Sequence, residues 1–278
     1  MPFFEDAPEI AAAALPAVSA PAIMRQRVVA LQPSQLDALA AANEVTAAAP
    51  PTLYLNFFDD AEQSVALQDH EQLSDGAVAW HGKVLNNAFS SAVFIVHEGV
   101  VTANIRSPLG LYQIRPLAGG QHLVRQIDAS QFARDINDGE TIPTEAANEP
   151  QSTRVVAAAT GPVQAYTADN GTVVDVLVAY APNARIAAGG TQAIRDRIDL
   201  AIVEANQIYA NSQINTRLRL AYTYETSYNT SGSQATDLDR LTYNYDGYME
   251  EVHELRDTYG ADLVSLWVEG GDYCGIAW

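Results

Sequence analysis

The stretch Val173-Val174-Asp175-Val176-Leu177-Val178-Ala179-Tyr180 decides the fold of the last third of the chain. It is apolar at almost every position, which predicts a strand that is buried on both faces, as in a parallel sheet. A long helix is predicted to follow, because apolar residues then recur at helical spacing. This stripe, to which we assign a packing role without a ligand, consists of Ile194, Ile198, Ala201, Ile202, Ala205 and Tyr209.

The remainder of the last third continues the α/β pattern. Apolar and other residues alternate from Arg217 to Tyr224, as expected of a half-buried strand. Two short helices are predicted at 238–245 and 248–259, and Gly260 stands where a left-handed C-terminal cap is expected. Apolar runs at 261–268 and 273–278 predict two closing strands.

The preceding part of the chain has a different organisation. In residues 51–127, strand-length apolar runs are separated by short turns such as Asp75-Gly76, which predicts antiparallel hairpins and a small all-β domain. Residues 1–50 are rich in Ala and Pro, and we expect a tail with one helix from Pro33; residues 25–31 are a possible extended segment. Residues 128–170 are acidic and turn-rich, which indicates a linker and the first site of proteolysis.

Composition excludes two classes of partner. The 278 residues carry a net charge of −19, and such a surface repels nucleic acid and anionic membranes. No apolar run reaches the length of a transmembrane helix.

The Ala-rich residues 11–20 resemble a signal peptide only faintly, because acidic Glu5-Asp6 precede them where basic residues are expected, so no signal peptide is assigned. A start site displaced from the native one is the open alternative, and the sequence does not define an oligomeric state.

No complete catalytic constellation is present in residues 1–278. His253-Glu254 begins an H-E-x-x-H pattern, but Asp257 occupies the position of the second histidine. The remaining histidines are not at ligand spacing from one another, and no glycine-rich phosphate loop or nucleophile elbow occurs. We therefore predict no catalytic residue and no metal ligand on this chain; the other histidines are His70, His81, His97 and His122.

Several blocks nonetheless resemble, in order, the bacterial reprolysin-like zinc metallopeptidases of the metzincin group, and most closely the peptidyl-Asp metalloendopeptidases. The resemblance covers roughly residues 50–278. In the last third it is carried by residues 173–185, 201–212, 247–249, 255–266 and 273–278, and in the β-rich part by 53–57 and 114–117.

The resemblance implies an α+β protein in which a small antiparallel all-β prodomain (51–127) and the linker (128–170) precede an incomplete metzincin-like α/β catalytic subdomain (171–278). It implies Zn2+ in the complete enzyme, peptide or protein substrates, and a secreted or periplasmic location. The zinc motif of the family follows the Cys-Gly-Ile-Ala block and is absent from residues 1–278, so no zinc is expected on this chain. Gly275, Ile276 and Ala277 match the edge strand that pairs with substrate, and Cys274 matches a cysteine that pairs with one further on.

Two functions follow as hypotheses. In the first, the complete protein is a zinc-dependent endopeptidase, and the given chain is a fragment that is inactive alone. In the second, the chain is a truncated, non-catalytic module that binds peptides or a protease through its edge strand, as extended peptides add to an exposed sheet edge.

Overall fold

The computed structural model describes residues 2–7, 22–32, 35, 51–132, 173–271 and 274–278. The chain divides into two compact units, the first formed by residues 1–132 with 185–208 and the second by 133–184 with 209–278. A large antiparallel sheet and a small parallel sheet occur together with helices, so the predicted α+β class is confirmed. The predicted helix from Pro33, apart from Gln35, and the linker beyond residue 132 lie outside the described residues.

The first unit contains a nine-stranded sheet in which every neighbouring pair is antiparallel. Its strand order is β1-β2-β9-β8-β7-β6-β5-β4-β3. The strands are β1 (Phe4–Asp6), β2 (Ile23–Leu31), β3 (Thr52–Phe58), β4 (Ala61–Gln72), β5 (Val78–Val84), β6 (Ser91–His97), β7 (Val100–Ser107), β8 (Gly110–Pro116) and β9 (His122–Ile127).

This sheet is larger than the sequence predicted. Strands β1 and β2 lie in the part that was expected to be a tail, although residues 25–31 of β2 were considered as a possible extended segment; β4 was not predicted. Arg25 and Arg27 interrupt the apolar pattern of β2, but both arginines donate hydrogen bonds: Arg25 to Asp60 at 2.6 Å and Arg27 Nε to the Phe57 carbonyl at 2.7 Å. Polar residues likewise obscure β4, which is buried only at alternate positions from Ala61 to Leu67.

The two ends of the sheet meet, which closes it into a barrel. The Phe3 amide donates to the Tyr54 carbonyl at 2.9 Å, and a parallel bridge joins Pro2 to Tyr54. The Asn56 side chain accepts from the Phe4 amide and donates to the Phe4 carbonyl, each at 3.0 Å. Closure satisfies backbone groups that would otherwise line exposed sheet edges.

Alternate side chains of the strands fill the barrel. Phe57 and Tyr112 stack with their ring centroids 4.2 Å apart, and both side chains are almost fully buried. The other large residues of this core are Phe3, Phe4, Leu55, Leu67, Phe94, Ile105 and Ile114. His122 is also buried, and its Nε2 accepts a hydrogen bond from the Val101 amide at 3.1 Å.

Stability of the first unit is expected to fall in mild acid through His122. Burial lowers the pKa of His122 from 6.5 to about 4. Between these values the unfolded chain binds a proton that the folded chain does not, so this contribution is complete above about pH 6.5 and is lost as the pH falls toward 4. Each unit of pKa corresponds to about 1.4 kcal/mol, so we expect a loss of about 3 kcal/mol.

Chemical denaturation of the wild type and of His122→Gln at a series of pH values measures this effect. The variant keeps a side-chain acceptor for the Val101 amide but cannot titrate, so its profile between pH 6.5 and 4.5 is expected to be flatter. Parallel profiles would show that His122 does not contribute to acid sensitivity.

The second unit is built on a parallel sheet with the order β11-β10-β12. The remaining elements of the chain are β10 (Val173–Tyr180), α1 (Pro182–Ala188), α2 (Thr191–Asn211), β11 (Arg217–Glu225), α3 (Gln234–Thr242), α4 (Glu250–Tyr259) and β12 (Leu263–Trp267). Of these, α2 lies almost entirely in the first unit. The central strand β10 is buried from Val176 to Tyr180, as predicted, and Gly260 caps α4 in the left-handed region with φ of 62°. Helix α1 was not predicted, although proline is favoured at a first helical position.

A compact apolar core and one ion pair stabilise this sheet. Leu177 and Ala179 pack against Tyr228, Val252 and Ala261. Arg219 donates to both carboxylate oxygens of Asp175, at 2.5 and 2.6 Å.

The last residues differ from prediction. The strand expected from Tyr273 is not formed in residues 274–278. Gly270 and Gly271 adopt positive φ after β12, and the Trp278 indole donates to Thr242 Oγ1 at 2.5 Å, so this segment packs by a side chain instead of pairing. None of the described helices combines the length and apolar content that crossing a membrane requires.

Candidate functional site

Helix α2 is buried on a face that the sequence analysis did not predict. Leu200 and Val203, each 2% exposed, pack in one apolar cluster with Ala79 of β5 and with Val93 and Ile95 of β6. These strand residues point away from the barrel interior, because Trp80 and Phe94 between them belong to the internal core. The outer face of β5 and β6 is therefore covered by α2 within the first unit.

A cluster of polar side chains lies beside this apolar contact. It comprises Asp75 in the turn before β5, His97 at the end of β6, and Asp196 on α2, and one ligand atom from each lies within 4.8 Å of the others. His97 Nδ1 is 3.5 Å from Asp75 Oδ2 and 3.6 Å from Asp196 Oδ1. The Gln192 amide nitrogen lies 2.8 Å from His97 Nδ1 and 2.8 Å from Asp196 Oδ1.

The electrostatics of this cluster oppose full ionisation of its carboxyl groups. Burial raises the pKa of Asp196, against the hydrogen bond from Gln192 and the charge of His97. Burial, the charges of Asp75 and Asp196 and a hydrogen bond with Asp75 together raise the pKa of Asp199 to about 7. Arg195 is the cation that lowers it. Carboxyl groups this close favour either a shared proton or a bound cation.

A second polar network joins the same helix to the barrel. Arg115 Nη2 donates to Asn104 Oδ1 at 2.7 Å, and Asn104 Nδ2 donates to Glu204 Oε2 on α2 at 2.9 Å. Arg115 Nη1 also donates to the carbonyls of Ala103 and Ile114. Burial, with the charge of Arg197, lowers the pKa of Arg115 to about 9.

Loss of the Asn104 side chain is expected to destabilise the first unit by about 2 kcal/mol, because a buried group that loses its hydrogen-bond partner costs about 1–3 kcal/mol. Chemical denaturation of Asn104→Leu measures this. The double variant Asn104→Leu/Arg115→Met removes the stranded charge as well and is expected to be less destabilised than the sum of the two single variants. Strictly additive free energies would contradict coupling between Asn104 and Arg115.

The zinc site of the metzincin pattern does not fit the residues present. His253 lies on α4, but Glu254 and Asp257 on the same helix are exposed. The described residues place no further histidine, cysteine or carboxylate with them in a ligand cluster. No hydrolytic step can therefore be derived through a metal at His253.

The predicted substrate-binding residues lie beyond β12. Cys274 and Gly275 are exposed, and Gly275, Ile276 and Ala277 form no strand in this structure. Cys274 is the single cysteine in the sequence, so it has no disulfide within residues 1–278. The roles assigned to these four residues stay predictions.

Comparisons with known proteins identify relatives of this chain. The family model for metallo-peptidase family M12B, reprolysin-like, matches residues 170–278. A peptidyl-Asp metalloendopeptidase of Xanthomonas campestris pv. campestris is 31% identical over 290 residues, covering 99% of this chain and 67% of that protein. One of Stenotrophomonas maltophilia strain K279a is 30% identical over 249 residues, covering 84% of this chain and 57% of that protein.

A crystal structure of metalloproteinase-II from Bacteroides fragilis is 11% identical, with a TM-score of 0.34; it covers 74% of this chain and 59% of that chain. A TM-score this low carries no structural conclusion. The match to the Xanthomonas protein extends over nearly the whole chain and identifies the family.

The chain belongs to the reprolysin-like metallopeptidases. The relatives it matches along its length are named peptidyl-Asp metalloendopeptidases, which confirms the resemblance found in the sequence. It spans between 57% and 67% of the length of these two relatives.

Sequence reasoning missed the cluster of Asp75, His97 and Asp196 because it looked for ligands at short spacing. The sequence did contain one indication of this cluster. Asp196, Asp199, Leu200 and Val203 occupy the i, i+3, i+4 and i+7 positions of a helix, so two charged and two apolar residues share one face. Such a mixed face predicts burial against a polar partner.

Proposed function

We propose that this chain is the N-terminal part of a zinc-dependent metalloendopeptidase, with the β-barrel as prodomain and residues 171–278 as the first part of the catalytic domain. The observation that carries the proposal is the match of 31% identity with one peptidyl-Asp metalloendopeptidase over 99% of the chain. A single relative thus accounts for both the barrel and the parallel sheet. We further propose, from the same relatives, a secreted or periplasmic location.

The structure suggests what the barrel does in such an enzyme. The outer face of β5 and β6 covers Leu200 and Val203 of α2, and α2 lies inside the segment that the peptidase family model matches. We infer that the barrel holds this helix in place while the rest of the catalytic domain folds. The barrel strands contain no cysteine, so a thiol from the barrel cannot ligate the catalytic zinc.

The proposed substrates are peptides and proteins cleaved at aspartate, the residue in the name of the matched relatives. A bound Zn2+ in such an enzyme activates a water molecule and polarises the scissile carbonyl. The proposed contribution of residues 275–277 is to pair with the extended substrate. These residues would have to become a strand when substrate binds.

The test uses the protein as its source organism makes it. Protein purified from the culture or periplasm is incubated with an aspartate-containing peptide and with a matched peptide in which asparagine replaces aspartate. We expect chelator-sensitive cleavage of the first peptide only, and processing of the protein between residues 133 and 170. Absence of cleavage, or cleavage insensitive to chelator, would contradict the proposal.

One observation favours the second hypothesis, a binding module. Among the described residues, β12 is hydrogen-bonded to a strand on one side only, namely β10. An extended peptide could add to its other edge. Peptide binding by residues 1–278, measured by fluorescence anisotropy, together with no processing and no cleavage by the native protein, would favour this function.

A further inference from the structure

We propose that Asp75, His97 and Asp196 bind one divalent cation of the Zn2+ class, which fastens helix α2 to the ends of the barrel strands. This site is separate from the catalytic zinc of the peptidase family and does not depend on peptidase activity. It is contrary to the expectation from sequence spacing that this chain binds no metal.

The distances suit such an ion. Donor atoms arranged tetrahedrally about 2.1 Å from Zn2+ are about 3.4 Å from one another. His97 Nδ1 lies 3.5 Å from Asp75 Oδ2 and 3.6 Å from Asp196 Oδ1. An imidazole nitrogen with two carboxylate oxygens is a donor set found at zinc sites.

Asp196 provides an independent reason to expect a ligand. Its side chain is 1% exposed. Its Oδ1 faces His97 and accepts from Gln192, whereas its other oxygen, Oδ2, has no hydrogen-bond partner among the described residues. A buried carboxylate with an unsatisfied oxygen is costly unless a cation or a proton compensates for it. The cluster holds a third carboxyl group, Asp199, which is hydrogen-bonded to Asp75.

Gln192 marks the point toward which the lone pairs of His97 Nδ1 and Asp196 Oδ1 are both directed. Its amide nitrogen, which carries two N–H groups, is 2.8 Å from both His97 Nδ1 and Asp196 Oδ1, so one amide donates to both ligand atoms. Gln192 itself is exposed and can turn away. Its amide therefore competes with a cation for the same two ligand atoms.

Calorimetric titration of metal-free residues 1–278 with ZnCl2 tests the site. We expect one Zn2+ per chain, tighter binding than for Ca2+ or Mg2+, and a higher Tm with zinc. His97→Gln and Asp196→Asn are expected to weaken binding by about 10-fold or more, because even changes outside the ligand shell commonly weaken metal sites by about 10–100-fold. Co2+ in place of Zn2+ gives an absorption spectrum that reports the coordination geometry.

Two further variants guard against misfolding and unspecific binding. Gln192→Ala changes an exposed residue and removes the competing amide, so it is expected to bind Zn2+ more tightly than the wild type. His81→Gln is the matched control, because His81 Nε2 also lies 3.6 Å from a carboxylate, that of Glu71, but His81 belongs to no group of three ligands among the described residues. This variant is expected to bind like the wild type.

Four results would overturn the proposal. These are no stoichiometric Zn2+ binding, binding that survives both His97→Gln and Asp196→Asn, binding lost in His81→Gln, and a preference for Ca2+ or Mg2+. None of these measurements uses peptidase activity, so failure of this proposal is distinguishable from failure of the proposed function.

Discussion

Purified residues 1–278 are expected to leave casein and aspartate-containing peptides intact, with or without added Zn2+. A metzincin-type mechanism needs two imidazoles one helical turn apart and a glutamate between them, and residues 1–278 contain no H-E-x-x-H. Compared with an active relative, the rate of peptide hydrolysis is expected to be lower by the whole rate enhancement of the enzyme. This is because zinc both lowers the pKa of the attacking water and polarises the carbonyl.

The measurement is a mass-spectrometric digest with a relative from Stenotrophomonas maltophilia as the positive control. Zn2+ bound at Asp75, His97 and Asp196 is not expected to produce activity, so Asp196→Asn serves as the matched negative control. Proteolysis by the purified chain that a chelator abolishes would contradict the prediction. Loss of that proteolysis in Asp196→Asn would locate it at the cluster of Asp75, His97 and Asp196.

Leu200→Asp is expected to release helix α2 from the barrel and to lower the free energy of unfolding of the first unit by about 4 kcal/mol or more. Leu200 is 2% exposed in the cluster with Ala79, Val93 and Ile95. Removing a buried leucine costs about 2–5 kcal/mol, and an unpaired buried carboxylate adds its own desolvation penalty. Such a loss is comparable to the whole stability of many domains, about 5–15 kcal/mol.

The control lies on the same helix. Ile208 is 58% exposed, so Ile208→Asp has nearly the same effect on local helix propensity and charge but should change the free energy of unfolding by less than about 0.5 kcal/mol. Hydrogen exchange of the amides of α2 separates release of the helix from global unfolding. Equal protection of α2 in Leu200→Asp and in the wild type would show that the barrel does not hold the helix.

The sequence predicted the elements whose patterns are regular. Strand β10 is apolar at nearly every position and is buried at Val176–Tyr180 as expected, and Gly260 caps α4. It was less informative where packing depends on polar groups. Residues 25–31 of β2 were recognised only as a possible extended segment, because its arginines, which bond to distant carbonyl and carboxylate groups, interrupt the apolar pattern. Exposed polar residues concealed β4 entirely.

The candidate metal site was beyond sequence reasoning for a different reason. Asp75 comes from the turn before β5, His97 from the end of β6, and Asp196 from a helix about a hundred positions later in the sequence. Periodicity reports local structure only, and docking of α2 on the barrel is a long-range contact. The apolar stripe from Ile194 to Tyr209 directed attention to one face of the helix, while the charged residues of the other face concealed its burial.

Closure of the barrel has a consequence for synthesis on the ribosome. Strand β2 pairs with β9, so the ring of strands cannot close until Ile127 has been synthesised and can pair with Ile23. All nine strands end before Val173, the first residue of the parallel sheet. Since chains elongate at about 5–20 residues per second and domains generally fold from the N-terminus, the barrel has several seconds to form before α2 emerges. The nascent helix would then meet a finished surface, and the barrel would serve as a template on which the later part of the chain is assembled.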